Sequence, residues 1–165
     1  MIIGANQLGE IRKRYEGKKI VFCSGSFDLA HAGHVLFFED CKNLGDVLVV
    51  MVGGDTAIRR GKGSKRPILN EHLRIKMIDA LKPVDYTLLD ELDPIDVHPL
   101  HAIALAFKAL QPDIYVVNQD ASDIPYREQC AKKYGVELVI LERLCPPEFE
   151  QVSTTGIIKK IKELS

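Results

Sequence analysis

The run VLVVMV at Val47–Val52 constrains the fold more than any other stretch of this chain. Six apolar residues, most of them β-branched and closed by Gly53-Gly54, are too short for a helix and read as a buried strand. KKIVFCS at 18–24 reads the same way, with Ile20, Val21 and Phe22 at its centre, and 86–89, 113–117 and 136–141 repeat the pattern. Helical periodicity separates these runs. Residues 5–15 form a leading helix closed by Gly17. Phe37, Phe38, Cys41 and Leu44 mark a helix over 32–44, with Gly45 as its stop. Asn70 caps a helix to Leu81 whose Leu73, Met77, Ile78 and Leu81 define one face. Pro99 suits the first turn of a helix reaching Leu110, 125–134 is a helix ended by Gly135, and Ser153 or Thr154 caps a last helix through Leu164. The segment 55–67, with Arg59, Arg60, Lys62, Lys65, Arg66 and two glycines, has the composition of a loop. Strands alternating with crossover helices predict an α/β fold: a doubly wound, mostly parallel sheet of five strands, covered on both faces, in one domain over 1–165. Ligands then bind beyond the carboxyl ends of the strands, in the loops after Ser24, Val52, Val117 and Leu141.

Composition narrows the partners. With 22 basic and 23 acidic residues the net charge is −1, which argues against a wide nucleic-acid surface and leaves room for a local basic site. The longest apolar runs, 47–52 and 102–107, hold six residues each, far from the ~20 that span a bilayer. Residues 1–6 carry no basic stretch followed by an apolar one, so no secretory signal is expected. Cys23, Cys41, Cys130 and Cys145 form no CxxC pair, and reduced, mostly buried thiols in a cytoplasmic protein are expected.

The chemistry concentrates after the first long strand, in Gly25-Ser26-Phe27-Asp28-Leu29-Ala30-His31-Ala32-Gly33-His34. Two histidines three apart at a helix start project from one side of its first turn. Gly33 lacks a β-carbon and permits close approach of a ligand. Free backbone N–H groups and the helix dipole favour an anion there, and imidazole donors beside it suit a phosphate whose charge grows during reaction. An isolated H-x-x-H arises by chance and merely caps a helix. His31, His34 and Asp28 could also ligate zinc, although no H-E-x-x-H helix or further ligand set accompanies them, and no metal site is assigned.

GSFDLAHAGH, the later KGSKRP and the terminal STTGIIKKI together resemble the cytidylyltransferase-like nucleotidyltransferases, with their HxGH signature, over nearly the whole chain from 18 to 164. The resemblance implies a Rossmann-like fold and an enzyme that joins a nucleoside triphosphate to a phosphorylated small molecule, with release of pyrophosphate and with magnesium. It implies that His31 and His34 contact the triphosphate and stabilise charge on the α-phosphate, without a covalent enzyme intermediate. Catalysis is then positioning and electrostatics. Lys62, at the family's KG position, binds phosphate, against the plain alternative of a solvated lysine. Gly25, Ser26, Phe27 and Gly33 of the signature lie at the nucleotide, as do Asp120 and the hydroxyls of Ser153, Thr154 and Thr155 before the last helix. Arg66 of the RP pair and Arg74 on the next helix are substrate-phosphate candidates, an exposed helix arginine being the alternative for Arg74. Asp28 orients the glycine loop or contacts substrate. Relatives often have a glycine before Asp120, where this chain has Gln119. His72, His98 and His101 read as surface or helix-packing residues.

Two branches of the family compete. LVVMVGGDTAIRR, KGSKRPILNEHLR and STTGIIKKI resemble the sugar-phosphate adenylyltransferases, typified by the heptose-phosphate enzymes. Cytidylyltransferases acting on glycerol 3-phosphate often carry an arginine in an R-x-x-G-x-STT pattern. Here Glu148-Phe149-Glu150-Gln151-Val152 precede STT, so only Arg143 could substitute. ATP and a sugar phosphate are therefore favoured over CTP and a phosphoalcohol. The stretch 89–112 is longer than in simple relatives and is expected to shape an acceptor pocket or a dimer contact, its apolar part 102–110 also fitting plain core. A homodimer is implied by the resemblance alone. A nucleotide-binding module without turnover is the reading from another class, and the histidine pair, Lys62 and STT together argue against it. A metal hydrolase built on His31, His34 and Asp28 is the other.

Overall fold

The computed structural model describes residues 1–91, 98–142 and 145–164. Among them β1 (Ile2–Ile3), β2 (Ile20–Gly25), β3 (Val47–Val52), β4 (Tyr86–Leu89), β5 (Ile114–Asn118) and β6 (Glu137–Leu141) form one sheet in the order β1-β4-β3-β2-β5-β6. Every pairing is parallel. The helices are α1 (Leu8–Arg14), preceded by a 3-10 turn at Ala5–Gln7, then α2 (Ala32–Asn43), α3 (Asp55–Lys62), α4 (Glu71–Asp79), α5 (His101–Leu110), α6 (Ile124–Tyr134) and α7 (Thr154–Glu163).

The period of two along a strand explains why the central strands are apolar throughout. Ile20 and Phe22 of β2, Val47, Val49 and Met51 of β3, and Tyr115 and Val117 of β5 face one layer, formed by Leu8 and Ile11 of α1, Phe107 of α5 and Ala131 of α6. Their neighbours Val21, Cys23, Leu48, Val50, Val52, Ile114 and Val116 face the opposite layer, formed by Phe37, Phe38 and Cys41 of α2 and Ile75 and Ile78 of α4. A sheet wound this way has a crevice where successive crossovers leave in opposite directions. Here it opens between β2 and β5, above Gly25 and Asn118. Among the described residues no helix is long and apolar enough to cross a membrane.

Several expectations are corrected. The sheet has six strands, not five: β1 has only two residues, too few to show a period, and is recognisable only by its pairing of Ile2 with Thr87 and Ile3 with Leu88 of β4. The basic segment expected to be a loop contains α3. Its polar residues face outward while Ile58 is buried, and the helix ends at Gly63, whose φ of 90° suits only glycine. On α4 the expected face is turned. Leu73 and Met77 are 51% and 40% exposed, whereas Arg74, Ile75 and Ile78 are buried. Asn70 caps this helix as expected, accepting from Leu73 N at 3.1 Å. Pro99 lies in the turn before α5 rather than within its first turn. Residues 102–110 pack as core. Residues 92–97 of the long 89–112 stretch, and Arg143, lie outside the described residues.

Candidate active site at the mouth of the second helix

The loop from β2 to α2 is held in a conformation that most side chains avoid. Phe27 and Leu29 have φ of 46° and 48°, in the left-handed region. Packing fixes the first of them. The Phe27 ring lies 5.0 Å from that of Phe38 and meets His34 edge-on at 5.5 Å. A β-carbon on Gly25 would come within 2.8 Å of the Phe27 ring, so glycine is required where the ring folds back over the strand end.

Asp28, between the two strained residues, is the hub. It is 1% exposed. Its carboxylate accepts from Ile68 N at 2.9 Å, Leu69 N at 3.0 Å and Arg66 Nε at 3.0 Å, with Arg66 Nη2 at 2.9 Å. Burial opposes its charge, but the Leu69 and Ile68 amides and Arg66 outweigh it and hold the carboxyl below its ordinary pKa. The Asp28 carbonyl accepts from Thr154 Oγ1 at 2.8 Å, which ties the start of α7 to the same loop. Arg74 is fully buried and donates to Ser26 O at 2.6 Å, Asp55 Oδ1 at 2.7 Å and Leu69 O at 2.9 Å. Of the two roles expected of Asp28, orientation of the glycine loop is the one these bonds perform, and Arg74 is buried rather than an exposed helix arginine. These bonds hold the loop, and both act as positioning residues. Asp28 does not complete a zinc set with the histidines, because its oxygens face Arg66 and the two amides.

The histidines open α2. His31 is the extended N-cap residue and His34 N donates to His31 O at 2.9 Å. The rings stack at 3.9 Å and 22°. His31 N reaches His34 Nδ1 at 3.4 Å, which leaves the proton of neutral His34 on Nε2. A β-carbon on Gly33 would sit 3.1 Å from the His31 ring and 3.3 Å from Val152 O, so this glycine lets the helix mouth press against the segment before α7. From α3, Lys62 Nζ donates to Ser26 Oγ at 2.8 Å. Lys62 is exposed as a residue, yet protein crowds its ammonium: burial first, then Arg66, lowers its pKa, while Asp28 and Asp120 oppose the shift. Ser153 caps α7 by accepting from Gly156 N at 3.1 Å, and Thr155 is exposed.

A cleft of about 330 Å³ runs from the histidine pair to the end of β5, lined by His31, Gly33, His34, Asn118, Asp120 and Ser153, with Phe149 and Val152 on its far wall. Beneath the crevice lies a group that sequence reasoning missed. Arg127 of α6 is buried and donates to Ser122 O at 2.7 Å, Ser24 Oγ at 3.3 Å and the Tyr115 hydroxyl. Burial raises the Tyr115 pKa despite Arg127, so the phenol stays neutral. Nothing in YREQC distinguishes this arginine from a surface one. His98 packs on α6, stacked on Tyr126 at 3.6 Å, and His72 is exposed.

A model of the cytidylyltransferase-like family matches residues 22–160, which span β2 through most of α7 and every group described above. The chain belongs to the cytidylyltransferase-like family. Among curated members, it is 35% identical over 151 residues to the bifunctional protein HldE of Alcanivorax borkumensis and 36% identical over 156 residues to that of Helicobacter pylori. These alignments cover 91% and 94% of this chain but only 29% and 30% of those proteins, so it spans less than a third of its curated relatives' length. Among solved structures, the lipopolysaccharide core biosynthesis protein of Thermoplasma volcanium superposes with a TM-score of 0.61 at 29% identity, covering 78% of this chain and 98% of that one. The pantoate-beta-alanine ligase of Francisella tularensis shares the fold, with a TM-score of 0.62 at 15% identity over 99% of this chain and 78% of that one.

Proposed function

We propose that this cytidylyltransferase-like chain is a nucleotidyltransferase that moves a nucleoside monophosphate from a triphosphate, ATP in preference to CTP, to a phosphorylated small molecule, a sugar phosphate. The observation that carries this reading is the convergence on one loop, 25–31, of the stacked His31–His34 pair, Lys62 on Ser26, and α7 tied through Thr154 to Asp28. In the reaction an oxygen of the acceptor phosphate attacks the α-phosphorus in line. The α–β bridge bond breaks and pyrophosphate leaves with its electron pair. An acceptor phosphate is already ionised near neutral pH, so the site needs no strong base. His34 Nε2–H and His31 donate to the α-phosphate oxygens as charge builds there. Lys62 and Arg66 face the phosphates, while Asp28 and Arg74 keep the loop in register for attack.

Magnesium, which the family implies, suits the donors present. Among the described residues no group of three His, Cys, Asp or Glu could hold a metal ion, while separate carboxylates, Asp40, Asp120, Glu142 and Glu150, line the cleft. That arrangement fits an ion that would be held mainly by the substrate and water, with Asp120, whose charge acts on Lys62, as the side chain that would hold it. The chemistry such an ion would supply there is positive charge to offset that of the leaving pyrophosphate.

The preference for ATP and a sugar phosphate rests on the likeness of GDTAIRR, KGSKRPILNEHLR and STTGIIKKI to sugar-phosphate adenylyltransferases, and is in keeping with a structural relative described as a lipopolysaccharide core biosynthesis protein. A panel of ATP and CTP against phosphorylated sugars, glycerol 3-phosphate and phosphocholine, read by pyrophosphate release, tests it. ATP with a sugar phosphate is the expected productive pair. Turnover only with CTP and glycerol 3-phosphate would move the chain to the other branch, and nucleotide binding without release from any pair would make it a non-catalytic module.

A further inference from the structure

The crevice between β2 and β5 begins where their ladder ends. The two strands pair at Val21 with Ile114, Phe22 with Tyr115 and Cys23 with Val116, and no further. Beyond that point each keeps only its outer neighbour: β2 pairs with β3 as far as Gly25 opposite Val52, and β5 with β6 as far as Asn118 opposite Leu141. The sheet therefore parts into two halves just below the site. One half carries the histidine loop 25–31, and the other carries the loop after Asn118, with Asp120.

A side-chain junction on the α6 face spans the gap. Arg127 Nη1 donates to Ser24 Oγ at 3.3 Å, one residue past the last pair, and to the Tyr115 hydroxyl, which itself lies 3.0 Å from Ser24 Oγ. Its Nε donates to Ser122 O at 2.7 Å, in the loop that carries Asp120. One planar group thus reaches both arms of the site. Among the described residues no carboxylate pairs with it, and its partners are neutral oxygens. Burying a guanidinium without a counter-ion opposes folding, so Arg127 is a poor device for stability. Its rigid fork, which fixes direction as well as distance, is a good one for geometry.

We infer that Arg127 is a positioning residue: it clamps the two halves of the sheet at the crevice and so fixes the distance between the histidine loop and the Asp120 loop. None of the three motifs contains it. Its effect on turnover rests on the nucleotidyltransferase reading above, whereas the clamp itself does not.

Arg127→Met removes the buried charge at little cost to folding. Ser24 and Tyr115 keep each other, and water replaces the guanidinium at Ser122, which is exposed. The unfolding midpoint is expected to match the parent's or rise. By contrast kcat is expected to fall about 100-fold, the scale of a misplacement near 1 Å, while the KM values for triphosphate and acceptor hardly move. A plainly structural arginine would instead lower the midpoint sharply, and that result overturns the inference, as does an unmoved kcat. Arg127→Lys keeps the charge but cannot bridge both arms, and is expected to be as slow as Arg127→Met. Recovery of the parent kcat in Arg127→Lys would assign to this residue a charge acting on the phosphates and would overturn the clamp. If no pair of substrates releases pyrophosphate from the parent protein, it is the nucleotidyltransferase reading that fails, and hydrogen exchange still decides the clamp. The amides of Gln119 and Ala121 bond to Leu141 O and Asn118 O, both at 2.9 Å. Arg127→Met is expected to speed their exchange about 10-fold, the scale of one hydrogen bond to a charged group, and unchanged exchange at both would overturn the inference.

Discussion

The two walls of the site are built from different materials. The wall formed by residues 60–74 is fastened from within: Arg66 and Arg74 reach carboxylates at Asp28 and Asp55, Glu71 accepts from Asp55 N at 2.8 Å, and Arg74 and the Asp28 side chain are inaccessible to water. The wall at 145–153 is fastened from outside, by a turn at Pro146–Phe149 and an ion pair of Glu150 with Lys160 in which both side chains are mostly exposed. Charged bonds in a dry environment enforce geometry strongly, whereas exposed pairs contribute little. Tight positioning is therefore invested in the wall that carries Arg66 and Arg74, and the wall at 145–153 is left to weaker, exposed bonds.

Removing the hub should separate the walls most sharply. Asp28→Ala leaves Arg66 and two amides without their acceptor, and denaturant unfolding is expected to show a loss of about 3–5 kcal/mol. A loss below 1 kcal/mol would mean that the inner wall is no better fastened than the outer. Because the folded Asp28 carboxyl titrates below its ordinary range, its contribution is complete above the unfolded carboxylate pKa of about 3.9. It is lost as the pH falls through the lower, folded value, so acid unfolding of Asp28→Asn should begin from a lower plateau and be flatter in that window.

His34→Ala is expected to lower turnover roughly 100- to 1,000-fold, the scale for one transition-state donor, with little change in unfolding midpoint; unaltered turnover would remove the histidine from the reaction. Lys62 gives a smaller, pH-dependent effect. With its pKa lowered by burial and Arg66, its charge is lost at lower pH than that of an ordinary lysine. The kcat/KM for the triphosphate should accordingly decline as pH rises towards about 10. Lys62→Arg, which stays charged, should flatten that decline, and an identical alkaline limb in both proteins would return Lys62 to the solvated surface. The smallest effect belongs to the outer wall: Glu150→Ala should leave the unfolding midpoint unresolved from the parent, and a clear drop would show the two walls to be more alike than their burial implies.

How far the sequence reveals this design depends on the distance over which each feature acts. β3 is legible because its six apolar residues suit both faces of a covered sheet, and His31, His34, Lys62 and Ser153 are legible because short motifs carry them. β1 is invisible, since pairing with β4, some 85 positions away, is all that makes two residues a strand. The turned face of α4 escapes because hydrophobicity favours Leu73 and Met77 over Arg74, and only Asp55, Ser26 and Leu69 together make burial of that arginine possible. Arg127 escapes for the same reason. Motifs announce which groups gather at one loop; the bonds that aim them join distant parts of the chain and leave no local trace.

The hydrogen bond from Thr154 to the Asp28 carbonyl spans 126 positions of sequence, and its consequence is temporal. A ribosome adding about 5–20 residues per second needs roughly 6–25 s after making the aspartate before the threonine exists. Throughout that interval the nascent chain displays a half-assembled cradle. The cradle therefore closes only once α7 has been made, with that helix acting as the clasp that closes a purse already sewn.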